Sequence, residues 1–200
     1  MKRMFLVLVC LSVIAVLFGC SSTPPKMLTD VPLVWKPTKS VYDSDTVTAT
    51  GLFSQQYKVM PFTDNRTNKA EIARNIEDNN VKLVTTRDDV ADWCRSRFID
   101  IIKQRGFNVV EDKADATIKG EIAEFYVIES NVYTGNLAIK VTVENASGKI
   151  LWQGMTAGVT KRFGRSYKLE NYQETLSDAF LDAVKGLLKN PEFISALQKK

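Results

Sequence analysis

From Leu137 to Glu144 the chain alternates apolar and polar residues ahead of a hairpin turn, and that pattern constrains the fold more than any other feature. Leu137, Ile139, Val141 and Val143 alternate with Lys140, Thr142 and Glu144, and Asn145-Ala146-Ser147-Gly148 then turns the chain into Lys149 to Thr160. A period of two puts the apolar side chains on one face of a hairpin and leaves the other face to water. Upstream, Ala116, Ile118, Gly120 and Ile122 alternate with Thr117, Lys119 and Glu121 in a further half-buried strand. Past Ala123 the alternation blurs through Phe125, Tyr126, Val127 and Ile128, as a bulge or burial of both faces would cause. Ser130 to Asn136, with Gly135, is read as the turn between these strands.

Such a sheet needs a cover on its apolar face, and two stretches of helical period supply it. Val90, Cys94, Phe98, Ile101 and Ile102 recur at spacings of three and four after Thr86-Arg87-Asp88-Asp89, with Thr86 read as N-cap, Asp89 as its capping-box partner and Gly106 as terminator. Glu170 to Lys189 carries Tyr172, Leu176, Phe180, Ala183, Val184, Leu187 and Leu188 on one face, and Asn190-Pro191 ends it and starts a last turn. The remaining elements are strands at Leu52 to Phe62, Val81 to Thr85 and Phe107 to Val110, with a polar connection of helical potential from Lys69 to Asn80. The expectation is an α+β fold: a two-layer α/β sandwich, its sheet mainly antiparallel, with two long helices on one face.

The N-terminus divides the chain. Lys2 and Arg3 precede an apolar run from Met4 to Phe18, about 15 residues long and so shorter than the roughly 20 that a membrane-spanning helix needs. Leu17-Phe18-Gly19-Cys20 resembles the bacterial lipobox, with Phe18 bulkier than the usual small residue. That resemblance implies a signal peptide at 1–19 and a Cys20 that carries a diacylglyceryl thioether and anchors the chain in a membrane. Ser21 in place of Asp implies delivery to the outer membrane. Residues 20–40 hold four of the six prolines and read as the lipidated Cys and a tether, free from Ser21 to Asp30, with Leu33, Val34 and Trp35 docking on a single periplasmic domain at 41–200. Loss of the signal removes Lys2 and Arg3, so the mature chain keeps 25 basic against 23 acidic residues, a net charge of +2. No nucleic-acid partner is expected from that balance in an exported protein.

The chain contains no His, which excludes the serine-type triad and histidine metal sites. Cys10 goes with the signal and Cys20 with the lipid, leaving Cys94 on the apolar helix stripe as a buried thiol. Asp88, Asp89 and Asp92 read as helix-start acids, and Trp93 and Trp152 as packing residues. The sequence implies no catalytic residue, metal or cofactor. Candidate ligand contacts are the turn residues Asp64 and Arg66 and the segment Lys161-Arg162-Phe163-Gly164-Arg165-Ser166-Tyr167-Lys168. In that segment Lys161, Arg162, Arg165 and Lys168 interleave with Phe163 and Tyr167, as in a loop that meets anionic headgroups, lipid A phosphates or a glycan. Its alternative is a solvated strand end leading into the last helix.

A lipobox, a tether, the turn Pro61-Phe62-Thr63-Asp64-Asn65-Arg66, the helix start Thr86-Arg87-Asp88-Asp89 and the stretch Gln104-Arg105-Gly106-Phe107 together resemble the YajG family of bacterial lipoproteins, from about Tyr57 to Leu197. The architecture is similar, more distantly, to the lipopolysaccharide-assembly lipoprotein and to curli-secretion components. The resemblance implies an outer-membrane anchor and a fold, and it supplies no catalytic residues. The expected function is therefore non-catalytic: binding of an envelope protein or of lipopolysaccharide in outer-membrane assembly or maintenance. The alternatives are a carboxylate-based cell-wall glycan hydrolase and a structural subunit of a secretion machine.

Overall fold

The computed structural model describes residues 27–41, 52–77, 80–164 and 166–199. The expected signal peptide, Cys20, the first part of the tether and Arg165 lie outside the described residues. In chain order the elements are β1 (Gln56–Val59), β2 (Thr63–Asp64), β3 (Glu71–Asn75), β4 (Lys82–Thr85), α1 (Val90–Gln104), β5 (Asn108–Val109), β6 (Ala116–Glu129), β7 (Val132–Asn145), β8 (Ile150–Phe163), α2 (Leu169–Lys189) and α3 (Pro191–Leu197).

The three 14-residue strands β6, β7 and β8 form an antiparallel meander, with β8 paired to β7 alone. Along the other side of β6 run β1, β2 and β3 in succession, all parallel to it: Tyr57 pairs with Ala116, Asp64 with Ile122 and Arg74 with Ile128. Outside these lie β5, parallel to β1, and β4, antiparallel to β3. Both long helices cover one face, for Trp93 of α1 meets Phe125 of β6 and Phe180 of α2 edge-on, each at 5.5 Å. The two-layer α+β sandwich expected from the sequence is the fold observed.

Most local expectations hold. The register slips between Ile122 and Glu124, so the blurred alternation is a bulge. The stripe Val90, Cys94, Phe98, Ile101 and Ile102 is buried, and α1 ends at Gly106, whose φ of 87° is left-handed. Four expectations are corrected. The strand expected over Leu52 to Phe62 is β1 alone, preceded by a short 3-10 helix at Leu52–Ser54. Lys69–Asn80 is a strand over 71–75; its polar Glu71 and Asn75 are buried because each finds hydrogen-bond partners, which hydropathy cannot register. The turn before β7 is only Ser130-Asn131, and Gly135 sits inside β7, where a Cβ would lie 2.7 Å from the Thr175 methyl of α2. The N-cap of α1 is Asp89, whose carboxylate accepts from Ala91 N–H at 2.8 Å and Asp92 N–H at 3.0 Å. Thr86 has another task, donating to the Val31 carbonyl at 2.7 Å.

That bond belongs to a strap, residues 27–41, which lies on the domain throughout. Thr85 N–H donates to Leu28 O and Val31 N–H to Thr85 O, so the strap first pairs with β4. It then crosses to α2, where Lys36 N–H reaches Ser177 Oγ at 2.9 Å and the Thr38 N–H and hydroxyl reach Asp178. Between these points Trp35 wedges edge-on against Trp93 and Phe180. Of the expected free tether, residues 27–30 are thus held. Docking of Leu33 and Trp35 is as expected, while Val34 points outward. No helix among the described residues is long and apolar enough to cross a membrane.

Candidate functional site

The basic aromatic segment is built around a buried carboxylate. Continuing the inward positions Phe125 and Val127 of β6 by two puts Glu129 on the helix-covered face, where it is 0% exposed. One of its oxygens accepts from the N–H groups of Ser166 (3.0 Å) and Tyr167 (2.9 Å), and the other from the Tyr172 hydroxyl. Burial pushes the Glu129 carboxyl up, but donors from Tyr133, Tyr172, Asn75 and the Tyr167 backbone outweigh it and hold the group below its ordinary value. Tyr172, buried beside that negative charge, has its phenol pushed well up. A carboxylate at the end of β6 therefore fixes the loop between β8 and α2, including Tyr167 in a positive-φ conformation (45°).

Around this hub the predicted contacts separate. Tyr167 turns inward: its hydroxyl donates to Leu83 O at 3.0 Å and accepts from Leu28 N–H at 3.1 Å, so it fastens the strap to β4. Arg162 pairs with Glu174 of α2. Lys161, Phe163 and Lys168 point outward, Phe163 being 86% exposed. Lys82 joins them from β4, its Nζ 5.6 Å from the centre of the Tyr167 ring. Part of the segment is thus structural, and part forms an exposed basic aromatic surface.

Asp64 and Arg66 lie elsewhere, where β2 gives way to β3. The Arg66 guanidinium donates to both Asp64 oxygens (3.0 and 2.8 Å) and to the carbonyls of Lys69, Glu71 and Phe125, and both side chains are at least nine-tenths buried. Burial pushes the Asp64 carboxyl up, but the Arg66 hydrogen bonds and charge outweigh it and hold it down. The pair ties the gap between two short strands to β6. Beside it opens a depression of about 300 Å³ lined by Arg66, Thr67, Asn68, Glu71, Arg74 and Tyr126. Cys94 is fully buried, and burial pushes its thiol well up. Among the described residues no group of three His, Cys, Asp or Glu side chains is placed to hold a metal.

A family model described as uncharacterized lipoprotein matches residues 55–198, which takes in the whole sheet and all three helices. The chain belongs to this lipoprotein family. The strap and Cys20 precede the matched stretch. The fold is similar to that of a DUF330-family protein from Xanthomonas campestris, at 10% identity and a TM-score of 0.52 over 82% of this chain and 90% of that one. Two lipoproteins are more distant: the minor lipoprotein of Acinetobacter baumannii (8% identity, TM-score 0.40, 69% and 92% covered) and lipoprotein GNA1162 of Neisseria meningitidis (10% identity, TM-score 0.38, 56% and 88% covered). No curated protein matches the sequence.

Sequence reasoning missed Glu129, Tyr133 and Asn75, whose roles depend on contacts between distant strands. The signal for Glu129 was available in the inward register of Phe125 and Val127. Nothing local marks Asp178, which acts only because the strap crosses it.

Proposed function

We propose that the protein is a YajG-type bacterial envelope lipoprotein, anchored to the outer membrane through acylated Cys20 with its domain in the periplasm. Its work is binding, of a protein partner or an envelope glycolipid in outer-membrane assembly or maintenance. The observation that carries this reading is the strap: in a member of a lipoprotein family, the chain from Met27 on, seven residues after Cys20, is fastened at once to the basic aromatic end of the sheet. A protein partner is favoured by β8, an edge strand with Met155, Ala157 and Val159 exposed on its open face, since unpaired strand edges invite pairing. A carboxylate-based hydrolase needs two acids facing across a cleft. Glu111 and Asp112 are neighbours on one wall of the depression beside β1 and β5, and the Glu71 carboxylate already accepts from Asn68, Arg74 and Tyr126.

Incorporation of labelled fatty acid into the wild-type chain, absent from Cys20→Ser, together with recovery in outer-membrane fractions, tests the anchor. Photo-crosslinking in intact cells and binding of the purified protein to lipopolysaccharide or peptidoglycan test the role. If no partner is captured and neither polymer is bound, the binding reading fails.

A further inference from the structure

Strand register lays a row of residues across one end of the sheet. Asn75 pairs with Lys82 and with Glu129, Glu129 with Tyr133, and Tyr133 with Arg162. The next positions outward are Val81, Ile76, the Ser130-Asn131 turn, Val132 and Phe163, of which Val132 and Phe163 are directly paired. Val81, Ile76 and Phe163 are 52%, 44% and 86% exposed. Five strands spaced at 4.8 Å, a width of about 19 Å, therefore end in an apolar rim. Lys161, two residues before Phe163, and Lys168 at the start of α2 are both exposed beside it, and Lys82 adds a third cation over Tyr167. Glu77, the acid that follows Ile76, turns back toward the Asn75 side chain.

The anchor emerges at the same place. Met27, itself exposed, precedes Leu28, which Tyr167 holds against β4. Seven residues from Cys20 to Lys26 span at most about 25 Å. The opposite end of the sheet, the hairpin 145–149, is about 40 Å away along 14-residue strands, beyond that reach. Large exposed apolar side chains flanked by Lys161 and Lys168, at the end where the proposed acyl chain would attach, fit the headgroup boundary of a bilayer, which takes apolar groups inward and pairs cations with anionic lipid.

We infer that this rim, Val81, Ile76 and Phe163 with Lys161 and Lys168, rests in the surface of the membrane that holds the anchor, so that the sheet stands with its 145–149 hairpin pointing away from the lipid. The inference depends on the acylation of Cys20 proposed above, and the following experiment separates the two. The mature acylated protein, from which the signal and Cys10 have been removed, is reconstituted in phosphatidylethanolamine–phosphatidylglycerol vesicles with brominated acyl chains. It carries an environment-sensitive probe at Phe163→Cys, Val81→Cys or Ser147→Cys, and buried Cys94 and acylated Cys20 leave the new thiol to be labelled. Flotation reports attachment and probe quenching reports depth. Attachment with quenching at 163 and 81 about threefold or more above that at 147 is expected for side chains seated 5–10 Å into the boundary. Attachment with equal or absent quenching overturns the inference while leaving the anchor intact; it is also the result if a second copy or another protein covers the rim. Failure to float overturns the anchor, and the inference with it.

Discussion

Replacing Trp35 by Ala removes the side chain that ties the strap to the core. Its ring meets Trp93 at 5.7 Å and Phe180 at 6.1 Å between centroids, both edge-on, and each such pair contributes about 0.5–1.5 kcal/mol beyond the area it buries. The side chain is half-buried, so truncation also returns on the order of 100 Å² of apolar surface to water, about 2.5 kcal/mol. The expected loss is therefore about 4 kcal/mol, within the range of large aromatic truncations. For a domain of this size each kcal/mol moves the thermal midpoint by about 2–4 °C, so a fall of about 8–16 °C should appear in calorimetry. Hydrogen exchange should show Lys36 and Thr38, whose amides donate to Ser177 and Asp178, losing protection together. A midpoint lowered by less than about 3 °C, with both amides as protected as in the wild type, would refute the view that Trp35 joins strap and core into one unit.

Gly158→Ala would place a Cβ 1.9 Å from the Ala179 carbonyl oxygen and 2.6 Å from Ala183 N, backbone atoms that cannot swing away; a loss of about 1–3 kcal/mol or more is expected in urea unfolding, and an unchanged midpoint would contradict this packing of α2 on β8. Arg66→Met leaves buried Asp64 with only the residue-66 backbone N–H and strips the guanidinium from three carbonyls, and it should cost about 3–5 kcal/mol, read by the same titration. Glu129 has a depressed folded pKa, so its stabilising contribution is fully present above the ordinary glutamate pKa and is lost as pH falls through the depressed value. The gap in thermal midpoint between wild type and Glu129→Gln should accordingly shrink on acidification below about pH 4; a gap independent of pH would exclude an ionised Glu129.

The layers of the fold were legible because they rest on period. Alternation at Leu137–Val143 and the stripes through Phe98 and Phe180 each report which face is buried, whatever the rest of the chain does. What escaped was set by partners far along the sequence. Glu71 and Asn75 look like loop residues until Arg74, Asn68 and Glu129 reach them, and Thr86 looks like a cap until Val31 arrives from the strap. The candidate site was legible in part for the same reason. Charge and aromaticity marked Lys161 to Lys168, but only the structure divides it into Phe163 and its lysines facing outward and a Tyr167 committed to Glu129, Leu83 and Leu28.

The strap also dictates an order of events. Thr38 finds Asp178 some 140 residues later in the chain, and contacts so distant form only after the intervening structure is in place. In the export proposed above, the N-terminal segment would emerge first and wait, undocked, for α2 to follow. On the acylation proposed above, processing at Cys20 would precede closure of the strap, and that closure marks a domain that has arrived whole.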